Sequence, residues 1–238
     1  MESPKHEMTA DEYISYIARV SNPSNQMNLL TAPKLIKYCI NHKHWSVFEH
    51  VFLTLEVTTT RDIGRQILRH RSFTFQEFSQ RYADPTKDLS FETREARLQD
   101  HKNRQNSIKT NNVDLEDWWE LQQRLTVERS KILYSDAIKK GIAKEQARAI
   151  LPEGLITTKL YMSGSLRSYI HWIDVRKDVS TQKEHRVIAE AAKQEILKHF
   201  PSLEGYWTPV LDEPYYEDDK KDEDVWPANY KNPWWKFW

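Results

Sequence analysis

The stretch HVFLTLEVTTTRDIGRQILRHRSFTFQEFSQRY, residues 50–82, carries the strongest information on the fold. In residues 50–60 apolar side chains occupy every second position and β-branched residues dominate, which predicts a half-buried β-strand. Residues 61–71 change to helical spacing, and residues 73–82 are expected to be extended again. The stretch therefore predicts two strands of one sheet joined by an arginine-rich helix.

Helices are predicted on both sides of this unit, so the fold class is α/β (α+β). The longest covers residues 114–139, where Asp114 can cap the first turn and Gly141 follows the end. Its apolar stripe consists of Leu115, Trp118, Leu121, Leu125 and Leu133. Thr181 and Glu184 form a capping box that opens a helix ending near residue 199. The other predicted helices are residues 10–19, 32–42, 143–150 and 156–174.

The chain is predicted to contain one catalytic domain, residues 1–204, followed by a tail, residues 205–238. Within the domain, residues 84–112 are polar and irregular and are predicted to form a long surface excursion. The tail is first acidic and then rich in aromatic residues and proline. Loose tails normally lack aromatic residues, so we expect the tail to pack on its own subunit or a neighbour.

Composition excludes several classes of protein. The 238 residues carry 35 basic and 35 acidic side chains, a formal net charge of +0, so any anion site is local. The five glycines form no G-x-G and no Walker loop, and the single cysteine, Cys39, excludes an intrachain disulfide or a cysteine-rich zinc site. No apolar run approaches a membrane span and no apolar signal region opens the sequence, so we expect a cytoplasmic protein without a membrane partner.

The densest functional signal lies in residues 61–82, which contain five arginines and His70. Gln66 and Arg69 are three residues apart and share a helix face. In an extended segment, Glu77, Ser79 and Arg81 would point to one side. Guanidinium groups bind phosphate in a bidentate manner, so this set suits a phosphorylated small molecule that also forms hydrogen bonds.

Several separated segments resemble the flavin-dependent thymidylate synthases. Arg69-His70-Arg71, seven further residues and Ser79 match the pattern R-H-R-x7-S of that family, and Gln80-Arg81-Tyr82 extend the match. The other resembling segments are Ala18-Arg19-Val20-Ser21, His44 with Ser46 and Phe48-Glu49-His50, Ala147-Arg148-Ala149-Ile150-Leu151-Pro152, and Leu166-Arg167-Ser168 through Asp174-Val175-Arg176. The resemblance spans about residues 10–200.

The resemblance implies a mainly antiparallel sheet flanked by helices, in a homotetramer whose active sites lie at subunit interfaces. It implies methylation of dUMP to dTMP, with 5,10-methylenetetrahydrofolate as carbon donor and NADPH reducing FAD. FAD would bind without a Rossmann loop, in agreement with the glycine pattern. This route needs no cysteine nucleophile. Cys39 lies on an apolar helix stripe and is expected to fill the core.

The resemblance also implies roles for individual residues. Arg176 would be catalytic, since it matches the residue that favours uracil ionised at N3. Positions implied to bind FAD are Ser21, His44, Ser46, Arg69, His70, Arg71, Glu77, Ser165, Arg167 and His171. Positions implied to bind dUMP are Gln66, Arg69, Glu77, Ser79, Gln80, Arg81, Arg148 and Arg176. Ser165 and His171 stand where asparagine is frequent in the family, and Ser79 is expected to contact the ligand rather than to act as a nucleophile.

Two alternatives of other classes remain open from the sequence. One is a metal enzyme that uses His42, His44, Glu49 and His50, although the family resemblance implies no metal. The other is a nucleic-acid-binding module that combines the arginines of residues 61–82 with nearby phenylalanines. The net charge of zero argues against the second, and we expect no nucleic-acid partner.

Overall fold

The computed structural model of the chain describes residues 7–207. The predictions on the tail beyond residue 207 therefore lie outside the described residues. The strands are β1 (Phe52–Thr60), β2 (Thr74–Glu77), β3 (Arg97–Gln99), β4 (Ser107–Lys109) and β5 (Thr157–Ser165). The α-helices are α1 (Ala10–Ala18), α2 (Ala32–Asn41), α3 (Arg61–Ile67), α4 (Pro85–Asp88), α5 (Val113–Lys139), α6 (Lys144–Ala147), α7 (Leu166–Arg176) and α8 (Lys183–His199). A 3-10 helix, Trp45–His50, precedes β1.

The main sheet has the strand order β1-β5-β2 and is antiparallel throughout. The register pairs Phe52 with Ser165 and Thr60 with Thr157 across β1 and β5, and Glu77 with Leu160 across β2 and β5. Strands β1 and β2 therefore belong to one sheet, as the sequence predicts, but β5 lies between them. The prediction of a mainly antiparallel sheet flanked by helices is confirmed.

The central strand corrects the sequence prediction, which placed a helix over residues 156–174. Residues 157–165 form β5, and the helix begins only at Leu166. In β5, Thr158, Leu160 and Met162 are completely buried while the intervening side chains are more exposed. This alternation with a period of two is the property of a strand in a sheet.

Other predicted boundaries also differ. Helix α3 ends at Ile67 rather than at residue 71, and β2 ends at Glu77 rather than at residue 82. After β2 the backbone turns, because the carbonyl of Ser79 accepts from the backbone N–H groups of Tyr82 and Ala83. Glu77, Ser79 and Arg81 therefore do not form one row along a strand.

The caps of two helices are also corrected. The side chain of Asn112, not Asp114, caps α5 by accepting from the backbone N–H of Leu115 at 3.0 Å. The predicted capping box at α8 is absent from the described residues, because the hydroxyl of Thr181 donates to the carbonyl of Val175 instead. Helix α8 itself is present.

The core lies between the sheet and helices α2, α7 and α8. Leu160 and Met162 of β5 pack in it with Tyr169 of α7, whose hydroxyl donates to the carbonyl of Met162. Cys39 is buried in the same cluster, as predicted, and burial raises the pKa of its thiol. Trp207 also lies in this core. No helix within residues 7–207 has the length and apolar character needed to cross a membrane.

The excursion at residues 84–112 is anchored to the sheet by Arg94. Its guanidinium donates to both carboxylate oxygens of Asp62, at 2.7 and 2.8 Å, and to the hydroxyl of Thr60 at 2.8 Å. The backbone N–H of Arg94 donates to Gln123 of α5. The excursion contains α4 and the hairpin β3–β4, so it is more regular than its composition predicts.

Helix α5 exposes its apolar stripe. The side chains that it buries are Gln123, Val127, Ser130 and Tyr134. Trp118, Leu121 and Leu125 are between 52% and 55% exposed, on the side of the helix that faces away from these residues. An apolar stripe of this length normally packs against another element. Within the single chain, residues 7–207 do not provide that element.

Candidate active site

A cluster of Arg69, His70 and Arg176 forms where the ends of α3 and α7 meet; we call it the arginine–histidine cluster. His70 lies in the turn that closes α3, where its backbone N–H donates to the carbonyl of Ile67. Arg176 is the last residue of α7. Its Nε donates to Nε2 of His70 at 2.9 Å. Two residues that are far apart in sequence are therefore in direct contact.

The imidazole in this cluster is neutral. Burial, followed by the positive charges of Arg176 and Arg69, lowers the pKa of His70 to about 4. Because Nε2 accepts a hydrogen bond from Arg176, the single ring proton is on Nδ1. Burial and the charge of Arg69 also lower the pKa of Arg176, but an arginine stays protonated at neutral pH. The cluster therefore has net positive charge.

The arginines at and beside this cluster lack acidic partners within the part of the chain that the structure describes. No carboxylate among residues 7–207 forms an ion pair with Arg69, Arg71 or Arg176. Arg69 and Arg71 are exposed, but Arg176 is partly buried, and a protein normally compensates such a cation with a carboxylate. Cations that are left uncompensated at one place are suited to binding an anionic ligand.

Gln66 extends the cluster toward α8. Its Nε2 donates to Oε1 of Gln182 at 2.8 Å, and its Oε1 lies 3.3 Å from Nδ1 of His185. His185 is completely buried. Burial, and then the electrostatic interactions with Arg176, His70 and Arg69, lower the pKa of His185 to about 3. The prediction that Gln66 and Arg69 share a helix face is wrong, because α3 ends at Ile67 and Arg69 lies in the turn that follows it.

A second group, which includes the predicted residues Gln80 and Arg148, lines a cleft of about 410 Å³. Its walls include Arg61, Arg65, Gln80 and Arg148. Gln80 is buried, and its Nε2 has no hydrogen-bond partner among residues 7–207. An unpaired buried amide is costly, so this group is suited to a ligand in the cleft.

Glu77 and Arg81 lie close to this second group. Glu77 accepts from the hydroxyl of Thr158 at 2.9 Å and lies 3.4 Å from the guanidinium of Arg61. Arg81 lies 3.5 Å from the carboxylate of Glu145, whose carbonyl accepts from Arg148. Arg81 and Arg148 are therefore held near one residue although they are far apart in sequence.

A third group surrounds the first turn of α7. Ser165 is its N-cap and accepts from the backbone N–H of Ser168. Arg167 donates to Glu49 at 2.8 Å, and its Nε lies 3.5 Å from Nε2 of His171. A hydrogen bond from Ser165 and the charge of Arg167 lower the pKa of Glu49. The contact brings together two segments that the sequence analysis singled out separately.

The remaining predicted residues are not in these contacts. Ser21 lies in the turn after α1, and His44 packs near the ring of Tyr38. Ser46 and Arg71 are exposed. Residues 7–207 contain no group of three histidine, cysteine or acidic residues that could hold a metal ion, so the alternative of a metal enzyme built on the histidines near residue 44 is not supported.

Comparison with known proteins identifies the family. The family model described as thymidylate synthase complementing protein matches residues 5–202. The chain is 53% identical over 195 residues to a probable flavin-dependent thymidylate synthase of Paramecium bursaria Chlorella virus 1, covering 82% of this chain and 89% of the relative. The chain belongs to the flavin-dependent thymidylate synthases. A second member, from Synechocystis sp., is 50% identical over 196 residues, covering 82% and 88%.

A solved structure supports the fold of a flavin-dependent thymidylate synthase. It is the UMP/dUMP methylase PolB from Streptomyces cacaoi, bound with 5-Br dUMP. The TM-score is 0.65 at 26% sequence identity, over 82% of this chain and 88% of that one. The resemblance drawn from separated motifs is therefore confirmed, and the alternatives of a metal enzyme and a nucleic-acid module are not supported.

Sequence reasoning missed two residues of the site, Gln182 and His185. They are three apart at the start of α8, and both contact Gln66. The spacing of apolar residues along α8 contains a signal for His185. Ala189, Ala192 and Ile196 form the buried stripe of α8, and counting back one turn from Ala189 leads to His185. A histidine on an otherwise apolar stripe indicates a buried polar group that needs a partner.

Proposed function

We propose that this flavin-dependent thymidylate synthase methylates dUMP to dTMP, taking the carbon from 5,10-methylenetetrahydrofolate and the reducing equivalents from NADPH through FAD. The observation that carries the proposal is the arginine–histidine cluster, in which the partly buried Arg176 and the exposed Arg69 have no carboxylate partner among residues 7–207. Both dUMP and FAD are phosphorylated and carry ring systems with hydrogen-bonding edges. The cluster supports binding of such ligands.

The residues of the cleft and of the cluster are proposed to hold dUMP. These are Gln66, Arg69, Glu77, Ser79, Gln80, Arg81, Arg148 and Arg176. The proposal for Gln80 is supported by its buried, unpaired amide, which a nucleotide could pair. Arg176 is proposed to be the catalytic residue. Its Nε is used by His70, so its terminal N–H groups are available for the uracil edge ionised at N3.

The chain also carries residues that fit FAD. Arg69, His70 and Arg71 provide cations and a ring N–H without a glycine-rich loop, which suits a diphosphate. Ser21, His44, Ser46, Glu77, Ser165, Arg167 and His171 are proposed to complete the flavin site. When bound, FAD supplies the redox chemistry that converts the transferred one-carbon unit to a methyl group. The protein contributes binding, orientation and charge.

The proposal requires no cysteine, and this leads to a prediction. Replacing Cys39→Ala should keep flavin binding and most of the turnover, because the buried thiol only fills the core. We expect a loss of stability on the order of 1–2 kcal/mol. Thermal melting and a turnover assay check this. A folded, flavin-loaded C39A variant without turnover would contradict a route that is independent of cysteine.

The decisive test of the function uses dUMP labelled with tritium at C5. Formation of the new carbon–carbon bond replaces the C5 hydrogen, so tritium enters water as dTMP forms. The purified yellow protein, with NADPH and methylenetetrahydrofolate, should release tritium and produce dTMP. A flavin-loaded protein that does neither would refute the proposal. Omission of methylenetetrahydrofolate is the matched control.

We further propose that the chain assembles as a homotetramer with active sites at subunit interfaces. The exposed apolar stripe of α5 supports this, because a second copy of the chain can cover it. The proposed site residues lie in three separate groups within one chain. This separation supports active sites in which neighbouring subunits each contribute one or more of the groups. The proposed single domain, residues 1–204, would be the repeating unit. A cytoplasmic location is part of the proposal and agrees with one unpaired cysteine.

The exposed stripe gives a prediction on assembly. Leu125→Glu places a charge in the stripe and should weaken assembly by about tenfold or more, since an unpaired charge is costly in a buried interface. Thr126→Glu is the matched control, because it adds the same charge at the next exposed position, about 100° around the helix from Leu125. Light scattering over a dilution series measures the effect. Equal behaviour of the two variants, or a monomeric parent protein, would contradict the proposed interface.

A further inference from the structure

His185 is completely buried against the arginine–histidine cluster, at a position outside the segments in which the sequence analysis found the family resemblance. Its ring lies 6.4 Å from that of His70 and 5.9 Å from that of Trp172, measured between centroids. Its Nδ1 lies 3.3 Å from Oε1 of Gln66. A buried polar ring normally forms hydrogen bonds. Among residues 7–207, the only hydrogen-bond partner of this ring is Gln66.

The hydrogen bonds that link Gln182, Gln66 and His185 define which atoms donate and which accept. Nε2 of Gln66 donates to Oε1 of Gln182, so Oε1 of Gln66 is the acceptor that faces His185. Nδ1 of His185 must then carry the proton and donate it. Its Nε2 is left as an acceptor without a partner among the described residues. The indole N–H of the neighbouring Trp172 is also unpaired there, so a proton on Nε2 would add a second unpaired donor to this region.

The neutral state of the ring supports this arrangement. Burial and the surrounding Arg176, His70 and Arg69 hold the pKa of His185 at about 3. The ring therefore has one N–H at any pH near neutrality, and that N–H has one available acceptor. A protonated histidine, by contrast, would add a charge to a region that already contains two arginines.

We propose that His185 is a positioning residue that orients the side-chain amide of Gln66 toward the substrate. The amide nitrogen of Gln66 has two hydrogens, and Gln182 uses one of them. With its oxygen held by His185, the amide presents its second N–H in a fixed direction, so a carbonyl of the pyrimidine can accept it. This inference rests on the proposed role of Gln66 in binding dUMP.

Without His185 the amide of Gln66 can rotate and present its oxygen in place of the N–H. The substrate would then face an acceptor instead of a donor, which weakens binding of dUMP. His185 does not touch the substrate in this proposal. Its contribution passes through Gln66, so the effect should fall on the KM for dUMP more than on flavin content.

The test compares three variants of the full-length holoenzyme: His185→Leu, His185→Asn and His199→Leu. Leucine fills a similar volume but donates no hydrogen bond, whereas the amide of asparagine can place an N–H near the position of Nδ1. His199 is exposed in the last turn of the same helix, so H199L is the matched control for the substitution. The measurements are the KM and kcat for dUMP, equilibrium binding of labelled dUMP, flavin content and melting temperature.

We expect H185L to raise the KM and the dissociation constant of dUMP by about tenfold, the usual effect of one lost hydrogen bond. Flavin content should be retained. The melting temperature should not fall, because an unpaired buried nitrogen is removed. H185N should recover most of the affinity for dUMP, and H199L should match the parent protein.

Two results would overturn the assignment while the parent enzyme makes dTMP. One is an H185L variant with the parent affinity for dUMP, whether or not it melts earlier, since His185 would then have a packing role only. The other is an H185N variant as impaired as H185L, which shows that the N–H is not the active feature. A parent protein that neither binds nor methylates dUMP would instead refute the proposed function, and this inference with it.

Discussion

Replacing Arg176→Ala is expected to abolish most of the methylation of dUMP while the protein stays folded and yellow. The guanidinium donates directly to His70, and its terminal N–H groups have no carboxylate partner among residues 7–207. Loss of a positioned donor that stabilises developing negative charge commonly lowers turnover by about 10²–10³-fold. Tritium release from C5-labelled dUMP measures this loss.

A second substitution at Arg176 separates the effect of its positive charge from the effect of its planar shape. Arg176→Lys keeps a positive charge but not the planar fork that lets one nitrogen bond His70 while others face the ligand. We expect R176K to recover part of the turnover. Flavin absorbance and oxidation of NADPH, followed in the same preparations, should persist in both variants. A colourless R176A that binds dUMP normally would instead assign Arg176 to the flavin.

The family could be predicted from the sequence, and candidate site residues could be proposed from it, because both depend on short local motifs. The arginines and histidine of residues 69–71 and Arg176 can be recognised from their neighbours in the chain. Their mutual contact could not, because 106 residues separate His70 from Arg176 and only the packing of α7 on the sheet brings them together. Gln182 and His185 were missed because no motif includes them.

The errors in the fold have a different physical cause. Residues 157–165 contain no glycine or proline before Gly164, and they run directly into helix α7. Because no breaker marks the boundary, the sequence predicts one helix over both segments. The stripe of α5 was recognised, but its partner could not be. An apolar stripe predicts that a face will be covered, and it does not say whether the same chain or another copy covers it.

The second large expected effect is a loss of folding stability, and it follows from the central position of β5 in the sheet. Leu160→Ala should lower the free energy of unfolding by about 2–5 kcal/mol, because the side chain is 0% exposed and packs in the main core. Leu160 pairs with both Val57 of β1 and Glu77 of β2, so the cavity opens in the strand that joins the two halves of the sheet.

Lys159→Ala, one residue earlier, is the matched control. Its side chain is about half exposed and forms a surface ion pair with Glu56 at 2.9 Å, so its loss should cost only about 0–1 kcal/mol. Denaturant unfolding at one fixed protein concentration compares the two variants, since assembly would otherwise change the apparent stability. The contrast between neighbours is what a strand requires, because successive side chains point to opposite faces. Equal losses at both positions would contradict the alternating burial of β5. They would also contradict its place as the central strand, which sets the spacing between α3 and α7 and so brings His70 to Arg176.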